Sequence, residues 1–265
     1  MFQLFQSEVF RLRKRAQSWI LIVLTFLLVG VFYGGFTIGS FFATGANKDD
    51  LLRELPFDQL SDFGLSIGLG FFGGVMLVIV AAGMMGNEFS WNTLRPLVAR
   101  ASSRSSLLTA KLLALLLYTV VFSVIVAILV GVLSIVSSLI AGVDVAFSGG
   151  AVVDAAWFTL RMIVASLPYL AFAFMLATVV RSNAAGIAGA LGLSFLEPTV
   201  FGLLGLISSV FHKIEKGGIS YNQSQLMTWN GWGDEWVPLV ILLAYTVLFL
   251  AISFWVFLRR DVTSG

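Results

Sequence analysis

The 265-residue chain is 58% hydrophobic and 11% charged, with a mean hydropathy of +0.97 and a formal net charge of +2. No segment between its apolar runs exceeds about 25 residues, which leaves no room for an independently folded soluble domain. Cysteine is absent, so a disulfide framework, a thiolate nucleophile and a zinc-thiolate site are all excluded. The chain reads as an all-α polytopic membrane protein with a single transmembrane domain over residues 1–265.

Residues 1–18 are expected to form an amphipathic interfacial helix. Phe2, Phe5, Val9 and Leu12 recur at steps of three and four and continue to Ala16 and Trp19, while Glu8, Arg11, Lys14 and Arg15 project elsewhere. Six apolar runs follow, at 19–42, 63–86, 106–141, 151–180, 184–211 and 236–258. Each reaches the ~20 residues that a helix needs to cross ~30 Å of hydrocarbon. The first run is far longer than the apolar region of a cleaved leader and is expected to stay in the mature protein. Orientation follows from the cations. With the N-terminus inside, Arg11, Arg13, Lys14, Arg15, Arg95, Arg100, Arg104, Lys111, Arg181, Arg259 and Arg260 face the cytoplasm, against Lys48, Arg53, Lys213 and Lys216 outside. That asymmetry puts both termini in the cytoplasm. In the second run, Gly64, Gly68, Gly70, Gly73 and Gly74 permit close helix approach.

Charge inside a span is costly and is weighed as a functional or paired group. Glu197 falls in the middle of the fifth run beside Pro198, which removes a backbone donor and is expected to kink or break the helix. Arg161, in the fourth run, is the one cation expected near its depth, so a Glu197–Arg161 pair, a protonated Glu197 bonded to a carbonyl and a polar pathway stay open. Catalytic constellations fail on geometry. Ser194 and His212 lie 18 residues apart on one expected helix, roughly 27 Å at the helical rise. His212 with Glu215 supplies two ligands where zinc needs more. Gly231-Trp232-Gly233-Asp234 has no second aspartate in the preceding span, and no phosphate-binding glycine-lysine loop occurs. The segment 212–235 carries Tyr221, Trp229 and Trp232, with Trp236 opening the last span, and reads most simply as an external aromatic belt.

The segment 87–105 between the second and third spans is the most specific. It runs Gly86-Asn87-Glu88-Phe89-Ser90-Trp91-Asn92-Thr93-Leu94-Arg95, followed by Ser103-Arg104 and by Lys111. A short helix with Glu88 near its start, Trp91 as an aromatic anchor and cations toward its end suits docking into a groove, and Leu94-Arg95-Pro96 suggests that this helix stops near the proline. The pattern resembles the type-2 permease family of ATP-binding-cassette (ABC) exporters, in which the loop reads Glu-x-x-x-Gly-Thr-Leu-Arg, then Ser-Arg and a lysine at the start of span three. Asn92 stands in the glycine position, and asparagine tolerates left-handed backbone.

The resemblance implies that Glu88, Phe89, Trp91, Asn92, Thr93, Leu94, Arg95 and Arg104 belong to a coupling helix seated on a cytoplasmic ABC ATPase subunit. ATP and magnesium would be held by that partner, with no cofactor on this chain. It further implies a second permease subunit, identical or related, in a prokaryotic cell membrane, with the lipid bilayer and no nucleic acid as surroundings. The expected function is export of an amphiphilic or lipophilic cargo by alternating access. The alternatives are an ion-coupled secondary transporter using Glu197, or a membrane scaffold that transports nothing.

Overall fold

The computed structural model describes residues 2–100, 103–206, 213–228 and 236–259. Among these, every regular element is helical: α1 (Phe2–Lys14), α2 (Ala16–Phe42), α3 (Ala46–Arg53), a 3-10 turn (Phe57–Gln59), two π-helical stretches (Leu60–Gly64 and Ser66–Gly73), α4 (Gly74–Ser90), α5 (Leu94–Arg100), α6 (Arg104–Ala141), α7 (Gly149–Val180), α8 (Asn183–Gly205), α9 (Ile219–Met227) and α10 (Trp236–Arg259). Among the described residues, six helices are long and apolar enough to cross a membrane: Ala16–Phe42, Ser66–Ser90, Arg104–Ala141, Gly149–Val180, Asn183–Gly205 and Trp236–Arg259. They follow the six predicted apolar runs, although the fifth helix ends at Gly205 and residues 207–212 lie outside the described part.

Local chemistry sets the helix starts. Ser103, Ser148 and Ser182 each accept a backbone N–H from the first turn that follows, from Ser106, Ala151 and Ala185 respectively. Several hydroxyls inside the spans are satisfied by their own helix, as when Thr25 donates to Leu21 O, Thr37 to Tyr33 O and Thr178 to Phe174 O. That pattern lets polar side chains sit in hydrocarbon without an orphaned donor.

The chain divides into two compact units. Unit 1 comprises Met1–Lys14, Leu77–Tyr118 and Val164–Gly265, and unit 2 comprises Arg15–Met76 and Thr119–Ile163. In unit 2 the connections after α2 and after α6 meet. Ser134 Oγ donates to Leu55 O at 2.6 Å, Phe57 N donates to Val145 O at 2.9 Å, and the Phe57 and Phe147 rings lie 4.9 Å apart. The glycines of the second span serve close packing within this unit. A Cβ on Gly68 would stand 2.8 Å from Val130 and 3.4 Å from Val126, and one on Gly64 would strike the Tyr33 hydroxyl and Val130. Van der Waals contact of this kind holds helices together where lipid offers no hydrophobic drive. The same glycine-rich stretch winds as π-helix, with Leu65 N donating five residues back to Leu60 O.

In unit 1 the N-terminal helix, the α4/α5 turn and the α7/α8 turn assemble together. Gly86 lies against the backbone of Asn183, and Asn183 Nδ2 donates to Asn87 Oδ1 at 3.0 Å. Arg181, in left-handed backbone at φ 57°, holds its guanidinium 5.9 Å from the Phe89 ring centre.

Candidate functional site

The last turn of α4 and the residues after it form a compact helix terminus. Thr93 N donates to Glu88 O at 3.1 Å and Asn92 N to Phe89 O at 3.2 Å, with Asn92 at φ 52°. These two bonds around a left-handed residue define a Schellman cap, in which the residue after the helix takes the conformation that glycine prefers. Asparagine keeps that geometry here. The side chains reinforce it, because Thr93 Oγ1 donates to Glu88 Oε2 at 2.8 Å. The spacing Glu-x-x-x-Asn-Thr is therefore a helix terminator whose first and last members are bonded twice.

This corrects the expected helix boundaries. Glu88 and Phe89 close α4 instead of opening a docking helix, and Trp91 stands in the turn. The short helix begins at Leu94 and contains Pro96 in its first turn, where a missing N–H costs nothing, so the proline starts the helix and does not stop it. Leu94 is buried, and the side chain of Arg95 lies outside the described part. At the tip, Ser90, Trp91 and Asn92 are exposed, with Trp91 at 62%. Downstream, Ser103 and Ser106 cap the start of α6 reciprocally, each hydroxyl accepting the other's N–H, and Arg104 in the first turn is half-buried.

Behind the tip lies a buried ion cluster. Lys111 Nζ, two turns into α6, donates to Glu88 Oε1 and to Glu8 Oε2, both at 3.1 Å, and all three residues are at most 3% exposed. Arg11 approaches Glu8 at 3.5 Å and Glu88 at 3.7 Å. Two carboxylates and two cations thus balance, which is the condition for holding charge out of water. On α1 the buried residues are Glu8 and Leu12, Phe5 and Val9 are half-buried, and Phe2 is 70% exposed. Glu8 therefore sits on the inward side of α1, where the sequence periodicity placed only apolar residues. Spacing could not identify Glu8 as a partner, because Lys111 is 103 residues away.

A second polar cluster surrounds Glu197. Its Oε1 accepts from Ile219 N at 2.5 Å and from Ser220 N at 3.4 Å, at the N-terminus of α9. Asn222 Nδ2 donates to Gly218 O at 2.6 Å and to Lys216 O at 2.9 Å, and Tyr245 Oη donates to Gly217 O at 3.0 Å. Arg161, in unit 2, donates from Nε to the Trp157 carbonyl on its own helix at 3.4 Å. α8 runs unbroken through Pro198. Glu197 is eight residues before the end of α8 and Tyr245 nine after the start of α10, or ~12 and ~14 Å along the two helices. The 217–219 turn therefore dips back between those helix ends. Irregular backbone at such depth needs internal partners, and Glu197, Asn222 and Tyr245 supply them. The segment is thus more than an aromatic belt. Tyr221 is half-buried in α9, Trp236 is exposed, and Trp229 and Trp232 lie outside the described residues, as do His212 and Asp234.

A sequence profile described as ABC-2 family transporter protein matches residues 4–197. The chain belongs to that family. ABC-2 membrane proteins are the permease components of ABC transporters and associate with a separate ATP-binding subunit, so this chain is a multi-pass transmembrane permease and not itself the ATPase. The matched region runs from α1 through the α4/α5 turn to Glu197, and the turn that Glu197 holds lies beyond it. No curated protein matches the chain.

Proposed function

We propose that this ABC-2 permease exports an amphiphilic or lipophilic cargo by alternating access, paired with a second permease subunit and driven by a cytoplasmic ATPase that binds ATP and magnesium. The observation that carries the docking site is the exposed Trp91 at the tip of a turn made rigid by the Schellman cap. A large exposed aromatic on a preorganised support is what a groove on a partner takes as an anchor. The positive-inside asymmetry supports a cytoplasmic position for this turn, for both termini and for α1 in the inner membrane interface. A prokaryotic cell membrane is the setting this reading implies. Away from the span ends, where Glu88, Arg104, Lys111, Asp154 and Arg259 lie, the described spans carry fixed charge only at Arg161 and Glu197, which favours apolar or amphiphilic cargo over a small, highly charged one.

The test is co-purification of the ATPase with Trp91→Ala permease at confirmed membrane level. Losing one anchor commonly costs about 2 kcal/mol or more, roughly thirtyfold in affinity, so recovery is expected to fall sharply. Undiminished recovery would refute docking at this turn. Glu88→Lys is not a substitute, because Glu88 is buried against Lys111 and Thr93 and its reversal would disrupt the permease itself.

A further inference from the structure

We propose that Lys111 and Glu8 are positioning residues that lock α1 and the α4/α5 turn into one moving body. The inference rests on reading that turn as the ATPase-docking site, and it assigns the residues that carry motion away from it. Lys111 Nζ is the common donor to Glu8 on α1 and to Glu88 on α4, at 3.1 Å each. Glu88 in turn holds Thr93 through its second oxygen and through its backbone carbonyl. An unbroken chain of short bonds therefore links the turn to α6 and α1.

Its energetics favour co-movement. The three groups are almost fully buried, so separating them would leave uncompensated charge in a medium of low dielectric. Displacement of the turn therefore drags α1 with it. By contrast, Trp91, which makes the outward contact in this reading, is exposed and contributes none of these bonds. Docking and transmission fall on different side chains, so they can be lost separately.

The chain has no cysteine, so introduced cysteines are unique labelling sites. Spin labels are placed at Gln6→Cys on α1 and Ala99→Cys on α5, both exposed. Their distance distribution is measured in the permease alone, in the ATPase complex without nucleotide, and in the complex trapped with magnesium-ATP and vanadate. A single narrow distribution, unchanged by trapping, is expected for the native network. In Lys111→Met and Glu8→Gln it is expected to broaden in the permease alone and to shift on trapping, while Trp91→Ala keeps the native distribution in the permease alone. If Lys111→Met fails to fold, Glu8→Gln, which retains the Lys111–Glu88 pair, decides the question. The proposal is overturned if these variants melt at lower temperature yet keep the native distances, or if the native distance itself changes on trapping. A permease that recovers no ATPase at all would sink the docking reading instead, and the measurement on the permease alone would still decide the network.

Discussion

Replacing Lys111 by methionine would leave Glu8 and Glu88 buried beside each other without the ammonium they share. Removing one member of a buried charge pair typically costs about 3–5 kcal/mol, so Lys111→Met is expected to lower the melting temperature in detergent and the membrane level. The neutral combination Glu8→Gln, Glu88→Gln and Lys111→Met should recover much of that loss, because no charge is then stranded. Simple additivity of the three changes would show that the cluster does not act as a unit. At Asn92 the constraint is backbone. Glycine accepts φ 52° freely and is expected to preserve or slightly raise stability, whereas Asn92→Val should cost about 1–2 kcal/mol, read as a drop in melting temperature relative to Asn92→Gly.

Among the elements, α9 depends on one distant side chain. Glu197 acts as an N-terminal cap supplied from another helix, accepting from Ile219 N and Ser220 N, where a carboxylate also meets the positive end of the helix dipole. Loss of such a cap costs about 1 kcal/mol, enough to loosen a nine-residue helix. The prediction is read with Leu226→Cys, whose native side chain is 1% exposed. Maleimide labelling of that cysteine should be slow on the otherwise native chain, several times faster with Glu197→Ala, and intermediate with Glu197→Gln, whose amide oxygen still accepts an N–H. Equal labelling in all three would show that Glu197 does not hold α9. Transport lost in Glu197→Gln with α9 still protected would instead favour a proton or ion pathway through this residue.

Over the molecule as a whole, packing within unit 2 relies on glycine where α2, the second span and α6 converge. Gly68→Val would force atoms onto Val130, Val126 and Val29, and overpacking of this kind costs about 1–3 kcal/mol. Gly30→Ala meets nothing within 4 Å and removes a flexible residue from a helix interior, so it should be neutral or stabilising by up to about 1 kcal/mol. Thermal unfolding of the purified permease compares the two directly. Equal melting temperatures would refute the packing role assigned to the second-span glycines.

The six helices are legible in the composition, because spanning hydrocarbon demands a run of apolar residues whose length can be counted along the chain. The sequence also points to the 87–105 segment and to left-handed backbone at Asn92, since a helix terminator is written in adjacent residues. The ends of the short helix differ from the sequence expectation because proline starts a helix as readily as it ends one, and the bonds from Thr93 to Glu88 distinguish the two. Glu88 as a buried strut, Glu8 as its counterpart and Glu197 as the cap of α9 were decided by tertiary structure alone. Their partners lie 22 to 103 residues away along the chain. A carboxylate in an apolar setting announces that it needs a partner; which partner it finds depends on which helices pack against each other, and no local pattern encodes that.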